Sequence, residues 1–309
     1  MPKPNQAIVH ASCQKIRWQD LDLKPIRALI DLAVAEDTQG SGLKTKPEFT
    51  GDASSALLPP GQSLVATLRA REGLTLCGVH LAREILAAFD AKLSFEALAS
   101  DRDTLERGDS IGILRGPVQS ALTAERPLLN FLQRLSGIAT TTQAYVAALG
   151  DSPTRLLDTR KTTPGFRYLE KYAVACGGGW NHRMGLFDRV MLKDNHLAAF
   201  GQDLVAATQA AVQESRRRTP HLLIEMEVDR IDQIDAALQA GVDIILLDNF
   251  TLPDLRLAQE LIAHQAVTEI SGNVSLDTIA ELKDIGCDFI STGALVHKSV
   301  WVDIGLDWD

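Results

Sequence analysis

Two short polar segments of the sequence concentrate positive charge beside residues that favour turns. Arg160 and Lys161 stand in the first segment, and His182 and Arg183 follow three consecutive glycines in the second. Two like charges about 5 Å apart repel by roughly 3 kcal/mol at an effective dielectric constant near 20, and an anionic ligand removes this repulsion. These residue types therefore predict a pocket for a small anion that carries several negative charges.

The charge of the whole chain has the opposite sign. A net charge of −9 predicts a surface that repels nucleic acid and anionic membranes, so we expect neither as a partner. The cationic cluster is therefore local, which favours a small-molecule site. The length of 309 residues and the hydrophobic content of 45% allow one large α/β domain or two smaller ones.

The cysteines predict buried thiols in a reducing compartment. They form no C-x-x-C pair, which argues against a zinc ribbon or a thioredoxin-type site. The four are Cys13, Cys77, Cys176 and Cys287. The first twenty residues lack the apolar core of a signal peptide, and no run of about 18 apolar residues predicts a membrane span. We expect a cytoplasmic protein.

The first part of the chain, residues 1–126, is predicted to form an α/β sandwich. Apolar spacing predicts two helices, and alternation predicts two strands. A segment rich in Gly, Thr, Ser and Lys separates the first helix from the first strand and predicts a long loop. In chain order these elements are helix Ile26–Ala35, loop Thr38–Ser55, strand Leu64–Arg71, helix Val79–Phe89 and strand Ile111–Val118.

The second part, residues 127–296, alternates strands with helices. A helix is predicted from the leucines that follow Pro127, with the proline in its first turn. Near-continuous apolar strands between helices indicate a parallel sheet, and about six strands are too few for a complete eight-stranded barrel. We therefore predict an incomplete α/β barrel, with strands at Arg155–Asp158, Val190–Lys193, Leu223–Val228, Ile244–Asp248, Val267–Ile270 and Phe289–Thr292.

Polar residues follow nearly every strand of this second part. The carboxyl ends of barrel strands meet on one face, where barrel enzymes carry their active sites. Glu225 and Glu227 share one face of their strand, so Glu227 is expected at the barrel mouth together with Asp248. The polar strand ends are Asp158–Lys161, Lys193–Asn195, Glu227, Asp248–Asn249, Ser271–Asn273 and Gly293.

Each of these residues, taken alone, has an ordinary structural explanation. Asp248 could cap a helix, Lys193 could lie on the surface, and His182 could be a structural histidine. The loops Ser271–Asn273 and Thr292–Ala294 could be simple turns, although their backbone N–H groups also suit a phosphate. Neither loop matches a Walker or dinucleotide-binding motif. Their convergence on one rim favours the functional interpretation.

Together the motifs resemble the quinolinate phosphoribosyltransferase family, also called carboxylating nicotinate-nucleotide pyrophosphorylase, over residues 25–309. The loop after Glu36 and Asp37 is longer than is usual in that family. The matching motifs are Glu125-Arg126, Leu135 to Thr140, Asp158 to Gly165, Glu170 to Val174, Gly177 to Gly179, Asn181 to Arg183, Lys193 to His196, Glu225 to Val228, Leu247 to Asn249, Ser271 to Val274 and Gly293 to Leu295.

The resemblance implies a type II phosphoribosyltransferase fold, in which the chain end, about 297–309, packs on the N-terminal sandwich. It also implies transfer of a phosphoribosyl group from phosphoribosyl pyrophosphate to quinolinate with loss of CO₂. The products are nicotinate mononucleotide and pyrophosphate, in NAD biosynthesis. Mg²⁺ is the implied cofactor, and a homodimer is the implied assembly.

The resemblance also assigns expected roles to single residues. Lys161, Glu227 and Asp248 are the expected catalytic residues: Lys161 faces the phosphates, and the two carboxylates hold Mg²⁺ and the ribose hydroxyls. The expected ligands of quinolinate are Arg126 of the partner subunit, Arg160, His182, Arg183 and Lys193. The expected ligands of the 5′-phosphate are Ser271, Gly272, Asn273, Gly293 and Ala294.

Two other functions stay open at this point. Lys193 at a strand end could be the amine of a Schiff-base aldolase, although an aldolase does not need so many arginines. A non-catalytic barrel that only binds anions is the second alternative, against which the retained Glu227 and Asp248 argue. A related enzyme that acts on another pyridine substrate is a further possibility.

Overall fold

The computed structural model describes residues 6–308. Its helices are α1 Gln6–Ala11, α2 Leu23–Gln39, α3 Val79–Phe89, α4 Val118–Leu149, α5 Arg167–Cys176, α6 Asp194–Ala198, α7 Leu204–Arg218, α8 Gln233–Ala240, α9 Leu252–Ile262, α10 Leu276–Leu282 and α11 Ala294–His297. Its strands are β1 Ser63–Ala70, β2 Leu74–Thr75, β3 Ser94–Ala97, β4 Thr104–Leu105, β5 Ser110–Pro117, β6 Arg155–Leu157, β7 Val190–Leu192, β8 Ile224–Val228, β9 Ile244–Asp248, β10 Val267–Ser271, β11 Phe289–Ser291 and β12 Ile304–Trp308.

The described chain divides into two compact units. The antiparallel unit comprises residues 16–143, 163–178 and 299–308, and the parallel unit comprises residues 6–15, 144–162 and 179–298. The sequence predicted a boundary between residues 126 and 127, whereas this division places it between residues 143 and 144, also within helix α4.

The predicted position of Pro127 in the first turn of a helix is wrong. A proline inside a helix costs about 3 kcal/mol, because it removes one hydrogen bond and crowds the preceding turn. The side chains of Leu128, Leu132, Leu135 and Ile138 are all fully buried along α4. Since each contributes roughly 1.5–3 kcal/mol on burial, together they outweigh the cost of the proline.

The antiparallel unit is built on a four-stranded sheet with the order β12-β1-β5-β3. Strand β1 alternates: Leu64, Ala66, Leu68 and Ala70 are buried on one face. The last strand, β12, pairs antiparallel with β1, and Leu306 stands opposite Leu68. The end of the chain thus belongs to the same unit as β1.

The parallel unit contains all six strands predicted for the barrel, in the order β6-β11-β10-β9-β8-β7. The first of these strands in the chain pairs with the last, so the sheet curls towards a ring that is open between β6 and β7. This topology confirms the predicted fold class. A parallel bridge between Leu157 and Trp180 and an antiparallel bridge between Gln14 and Asn181 line the open edge of β6.

The N-terminal residues close the core beneath these strands. Val9 and Cys13 are buried against Leu157, Ile244 and Phe289. The guanidinium of Arg155 lies 4.2 Å from the ring of Trp180 and donates to the carbonyl of Val9 at 3.2 Å. These contacts fix the start of β6, whose far end leads into the segment of Arg160 and Lys161.

The four cysteines are free and buried, as the sequence predicted. Within residues 6–308, no helix combines the length and the apolar character needed to cross a membrane.

Candidate active site

Acidic and basic side chains meet at the carboxyl ends of β7 and β8. Lys193 follows β7 directly, and Glu227 is the penultimate residue of β8. The two strands pair in parallel, and the ammonium group of Lys193 forms an ion pair with the carboxylate of Glu227. Both side chains are partly exposed, so this pair lies at the surface of the strand ends rather than in the core.

The next two strands carry Asp248 and the loop that follows Ser271. Asp248 and Ser271 are register partners at the ends of β9 and β10. The amide of Asn249 donates to the carboxylate of Asp248 at 2.7 Å and accepts from the amide of Asn273 at 3.0 Å. These bonds join the end of β9 to the loop after β10.

Gly272 is required for this loop. Its φ of +85° is disfavoured for other residues, and a Cβ atom there would lie 2.2 Å from the side-chain oxygen of Asn249. Because of this close approach, the turn between Ser271 and Asn273 has no room for a side chain. A glycine at this point lets the backbone approach either its neighbour or a ligand closely.

Lys161 lies over the end of β11. A Cβ atom on Gly293 would be 2.8 Å from Cδ of Lys161, so the aliphatic part of this lysine packs closely over Gly293. The N–H of Thr292 donates to the carbonyl of Leu157 at 3.1 Å, which holds the ends of β6 and β11 together. Ala294 is buried at the start of α11, and its N–H donates to the hydroxyl of Thr292 at 3.1 Å.

Arg160 and Arg183 form the cationic part of the site. Burial lowers the pKa of the Arg183 guanidinium, Glu225 opposes this, and the charges of Arg160 and Arg189 lower the pKa further. Nε of Arg160 is buried without a hydrogen-bond partner among residues 6–308. A buried, unpaired donor next to a second guanidinium is a costly arrangement that an anion relieves.

Asp158 holds the segment that carries His182 and Arg183. Its buried carboxylate accepts from the side chain of Asn181 at 2.8 Å and from the N–H of His182 at 2.9 Å. The backbone of Trp180 also bonds to Asp158 and to Leu156. The segment is thereby fixed against β6, which explains how residues so distant in the chain become neighbours.

His182 is buried, with only 5% of its surface exposed. The N–H of Arg183 donates to Nδ1 at 2.8 Å, which favours a neutral ring with its proton on Nε2, whereas Nη1 of Arg189, which can only donate, lies 3.1 Å from Nε2. Nε2 is 3.4 Å from Glu269 and 3.5 Å from Glu225. Burial disfavours a second proton on the ring, but the carboxylates of Glu269 and Glu225 outweigh this effect and raise the pKa of His182.

Sequence reasoning missed Arg189 and Glu269. Arg189 directly precedes β7 and gives no signal of burial in the sequence, yet it is buried and donates to Glu225 at 3.0 Å. Glu269 could have been found from the strand period of two, because it precedes Ser271 by two residues, as Glu225 precedes Glu227. Both glutamates point into the interior and are fully buried.

The predicted site residues are thus distributed as follows. Arg126 is exposed on α4, in the antiparallel unit. The other predicted residues belong to the parallel unit. Most of them stand at the ends of its strands or in the loops that follow, whereas His182 and Arg183 lie in the segment between α5 and β7. A pocket of about 390 Å³ opens beside Glu227 and Asp248 and is also lined by Asp194, Asp229 and Arg230.

The parallel sheet with cations beside paired carboxylates at its strand ends defines an enzyme-type site for small, highly charged molecules. The comparison with known proteins gives the particular family. The family model described as quinolinate phosphoribosyl transferase, C-terminal domain, matches residues 138–307, and the N-terminal domain of the same family matches residues 52–136. The chain belongs to the quinolinate phosphoribosyltransferase family.

Individual relatives are similar over most of their length. A probable carboxylating nicotinate-nucleotide pyrophosphorylase of Bacillus subtilis is 39% identical over 84% of this chain and 88% of its own. A chloroplastic carboxylating nicotinate-nucleotide pyrophosphorylase of Arabidopsis thaliana is 37% identical over 92% of this chain and 83% of its own. The solved nicotinate-nucleotide pyrophosphorylase of Francisella tularensis superposes with a TM-score of 0.85 at 34% identity, covering 96% of this chain and 99% of its own.

Proposed function

We propose that this chain transfers the phosphoribosyl group of phosphoribosyl pyrophosphate to quinolinate and releases CO₂. The products are nicotinate mononucleotide and pyrophosphate, and the reaction serves NAD biosynthesis. One observation carries the proposal: Lys193 and Glu227 form an ion pair at the ends of β7 and β8, beside the pocket that Glu227 and Asp248 line. Such a site suits a dianionic acceptor next to a sugar that becomes cationic. The names of the relatives, pyrophosphorylases described as carboxylating, support it.

Quinolinate would occupy the cationic side. Its two adjacent carboxylates match the guanidinium forks of Arg160 and Arg183, because arginine binds carboxylate through two parallel hydrogen bonds. The unpartnered Nε of Arg160 is one donor available for such a bond. Lys193 would add a third charge when the ligand competes with Glu227 for its ammonium group. His182 is buried behind these cations.

The sugar donor would occupy the acidic side. The pocket beside Glu227 and Asp248 offers carboxylate oxygens, and Ser271, Gly272 and Asn273 form a loop whose backbone can approach a phosphate. Lys161, exposed over Gly293, would face the pyrophosphate.

Glu227 and Asp248 are also the residues that would hold Mg²⁺. Their carboxylates stand at neighbouring strand ends and supply the hard oxygen ligands that this ion prefers, so the donor set fits. Bound there, Mg²⁺ would neutralise charge on the pyrophosphate. Lys193 binds one oxygen of Glu227 and would compete with Mg²⁺ for that carboxylate.

The chemistry then follows from positioning and charge. The ring nitrogen of quinolinate attacks the anomeric carbon, the bond to pyrophosphate breaks, and Lys161 stabilises the departing oxygens. Positive charge develops on the sugar, and the carboxylates of Glu227 and Asp248 stabilise it. The alkylated ring nitrogen is cationic and stabilises the electron pair that stays on ring carbon C2 when the adjacent carboxylate departs as CO₂, and a proton from solvent then adds to C2. No side chain forms a covalent bond in this scheme.

We also propose a homodimer in which Arg126 of the partner subunit completes the cationic side. Arg126 is exposed on α4, as a residue that reaches another subunit must be. The free, buried cysteines support a reducing compartment, for which we propose the cytoplasm.

The Schiff-base alternative is less well supported. A nucleophilic lysine is commonly activated by an apolar pocket or a neighbouring cation, whereas the ammonium group of Lys193 is engaged by a carboxylate. Borohydride trapping of a substrate adduct on Lys193 would favour an aldolase. A barrel that only binds anions would bind both substrates without turnover.

The decisive experiment is release of labelled CO₂ from quinolinate that carries the label in its 2-carboxylate. We expect release only when phosphoribosyl pyrophosphate and Mg²⁺ are present. Lys161→Ala should abolish it, and Glu260→Gln, on the exposed face of α9, should leave it unchanged. A purified, folded protein that binds both substrates and releases no CO₂ refutes the proposal.

A further inference from the structure

Four ionisable side chains form a closed cluster beneath the cationic side of the site. The cluster, here called the buried network, consists of His182, Arg189, Glu225 and Glu269, none more than 5% exposed. Nη1 of Arg189 lies 3.0 Å from Glu225 and 3.1 Å from Nε2 of His182. Arg189 also donates to the carbonyl of Ser12, which ties the network to the N-terminal segment.

The carboxylates of the network have few donors. Both oxygens of Glu269 and one oxygen of Glu225 are buried without a hydrogen-bond partner among residues 6–308. Burying such atoms unpaired is costly, so a structure keeps them only where another requirement outweighs the cost. Nε2 of His182 lies 3.4 Å from Glu269 and 3.5 Å from Glu225, so both carboxylates attract a proton on this nitrogen.

The ring of His182 connects these carboxylates to Arg183. While Nε2 faces Glu225 and Glu269, Nδ1 accepts the backbone N–H of Arg183. The N–H of His182 itself is bound to Asp158. The backbone at Arg183 is thus restrained through the ring, although no carboxylate of the network bonds to it directly.

Arg183 needs such restraint because two of its neighbours repel it, although Glu225 attracts it. The charges of Arg160 and Arg189 act against its guanidinium, whose further contacts are Met191 and a carbonyl oxygen. A free side chain would move away from Arg160 and towards solvent. Two guanidiniums held close together are what a dicarboxylate requires.

We propose that Glu225 and Glu269 are positioning residues for the binding of quinolinate: they orient the ring of His182, which in turn fixes Arg183 beside Arg160. The inference rests on the proposed function for its substrate. The groups that face His182 are Glu225 from β8, Glu269 from β10, and Arg189 and Arg183 from the segment before β7. Protonation of Nδ1 removes the acceptor for the Arg183 N–H, so the neutral ring is the form that positions Arg183.

The test uses Glu269→Gln, which keeps the size of the side chain and leaves the Arg189–Glu225 pair intact. Nitrogen NMR of the histidine rings follows tautomer and titration, and the signals of His182 are those missing from His182→Gln. In the wild type we expect the neutral ring to carry its proton on Nε2. Because one carboxylate is removed, the pKa of His182 should fall by about one to three units in Glu269→Gln.

Steady-state kinetics of Glu269→Gln distinguish a positioning role of Glu269 from a general effect on folding. Above the pH at which His182 titrates, where the ring is neutral in both proteins, Glu269→Gln should raise the KM for quinolinate about fivefold to tenfold and leave the KM for phosphoribosyl pyrophosphate unchanged, because the sugar donor uses other residues. The acid limb of kcat/KM for quinolinate should move to lower pH with the pKa of His182. Glu260→Gln is the matched control and should change neither quantity.

Glu225→Gln repeats the test if Glu269→Gln does not fold. A wild-type ring with its proton on Nδ1, a His182 titration that the variants leave in place, or an equal rise of both KM values overturns the inference. The NMR arm needs no turnover. Failure of the labelled-CO₂ assay with an intact His182 response therefore refutes the proposed substrate and leaves the network standing.

Discussion

Lys193 and Glu227 form an ion pair across the paired strands β7 and β8, and each belongs to a different half of the candidate site. The pair balances charge while no ligand is bound. Since both side chains are partly exposed, solvent screens the pair, and its contribution to stability is small. The pair matters because ligands compete with it. A carboxylate ligand competes for Lys193, and a cationic sugar or Mg²⁺ competes for Glu227.

Replacement of Glu227 by glutamine should therefore affect turnover more than folding. The amide keeps the shape but cannot stabilise positive charge on the sugar, so kcat for CO₂ release should fall by about 10²–10³. The melting temperature should change little, because a surface ion pair is worth at most about 1 kcal/mol. Steady-state kinetics and thermal melts check both statements. A kcat like that of Glu260→Gln would remove Glu227 from the catalytic residues.

Arg160→Met should separate binding from stability. The substitution removes a buried, unpartnered Nε and the repulsion between Arg160 and Arg183. The unliganded protein should become more stable, by about 1 kcal/mol, while the KM for quinolinate rises by about tenfold or more. Urea unfolding in the presence and absence of quinolinate measures both effects. Equal stabilisation of wild type and variant by quinolinate would show that Arg160 does not bind it.

The parallel sheet could be predicted from the sequence because its strands are buried on both faces. The run Ile244–Asp248 was placed with both ends correct, since a continuous apolar run with a polar end is typical of a parallel strand. The pairing of β12 with β1 could not be predicted in the same way. It joins residues 304–308 to residues 66–70, which are far away in the sequence, and nothing in the local sequence of Ile304–Trp308 specifies its partner.

The same limit applies to predicting the site residues from the sequence. Arg160, Glu227 and Asp248 could be identified because their types and their positions after strands are visible in the sequence. Arg189 and Glu269 are buried only because each has charged neighbours from other strands, and that environment exists only in the fold. The role of residues 8–14 in closing the core beneath β6 was missed for the same reason.

Gly272→Ala should damage the loop after β10, and Gly286→Ala provides a matched control. Both glycines have positive φ, +85° and +79°, so both substitutions carry the same backbone cost of about 1 kcal/mol. Only at Gly272 would the new Cβ collide with a neighbour, the side chain of Asn249, whereas Gly286 has open space. We expect Gly272→Ala to lose about 2 kcal/mol or more of unfolding free energy and to raise the KM for phosphoribosyl pyrophosphate. Equal effects of the two substitutions would refute the collision.

The stability of the protein should decrease as the pH rises through the pKa of His182. Burial opposes protonation, but Glu269 and Glu225 raise this pKa in the folded state above its unfolded value. The contribution of His182 to stability is fully present below the pKa of His182 in the unfolded chain, about 6.5. It is lost as the pH rises through the higher pKa of His182 in the folded protein. Urea unfolding between pH 6 and pH 10 should show the loss in the wild type and a flatter profile in His182→Gln. Parallel profiles would contradict the raised pKa.

The proposed exchange of Arg126 between subunits can be tested by complementation. Arg126→Ala and Lys161→Ala should each be nearly inactive as homodimers, because one lacks a cation for quinolinate and the other lacks the cation for pyrophosphate. If Arg126 acts in the neighbouring site, a mixed dimer contains one site with both defects and one site with none.

Co-expression with two different tags, followed by tandem purification, isolates that dimer, and its CO₂ release per dimer should recover to about half of the wild-type value. If Arg126 acts in its own subunit, every site of the mixed dimer carries one defect and no activity returns. The purified mixed dimer therefore distinguishes the two arrangements, provided that its subunit composition is verified by mass.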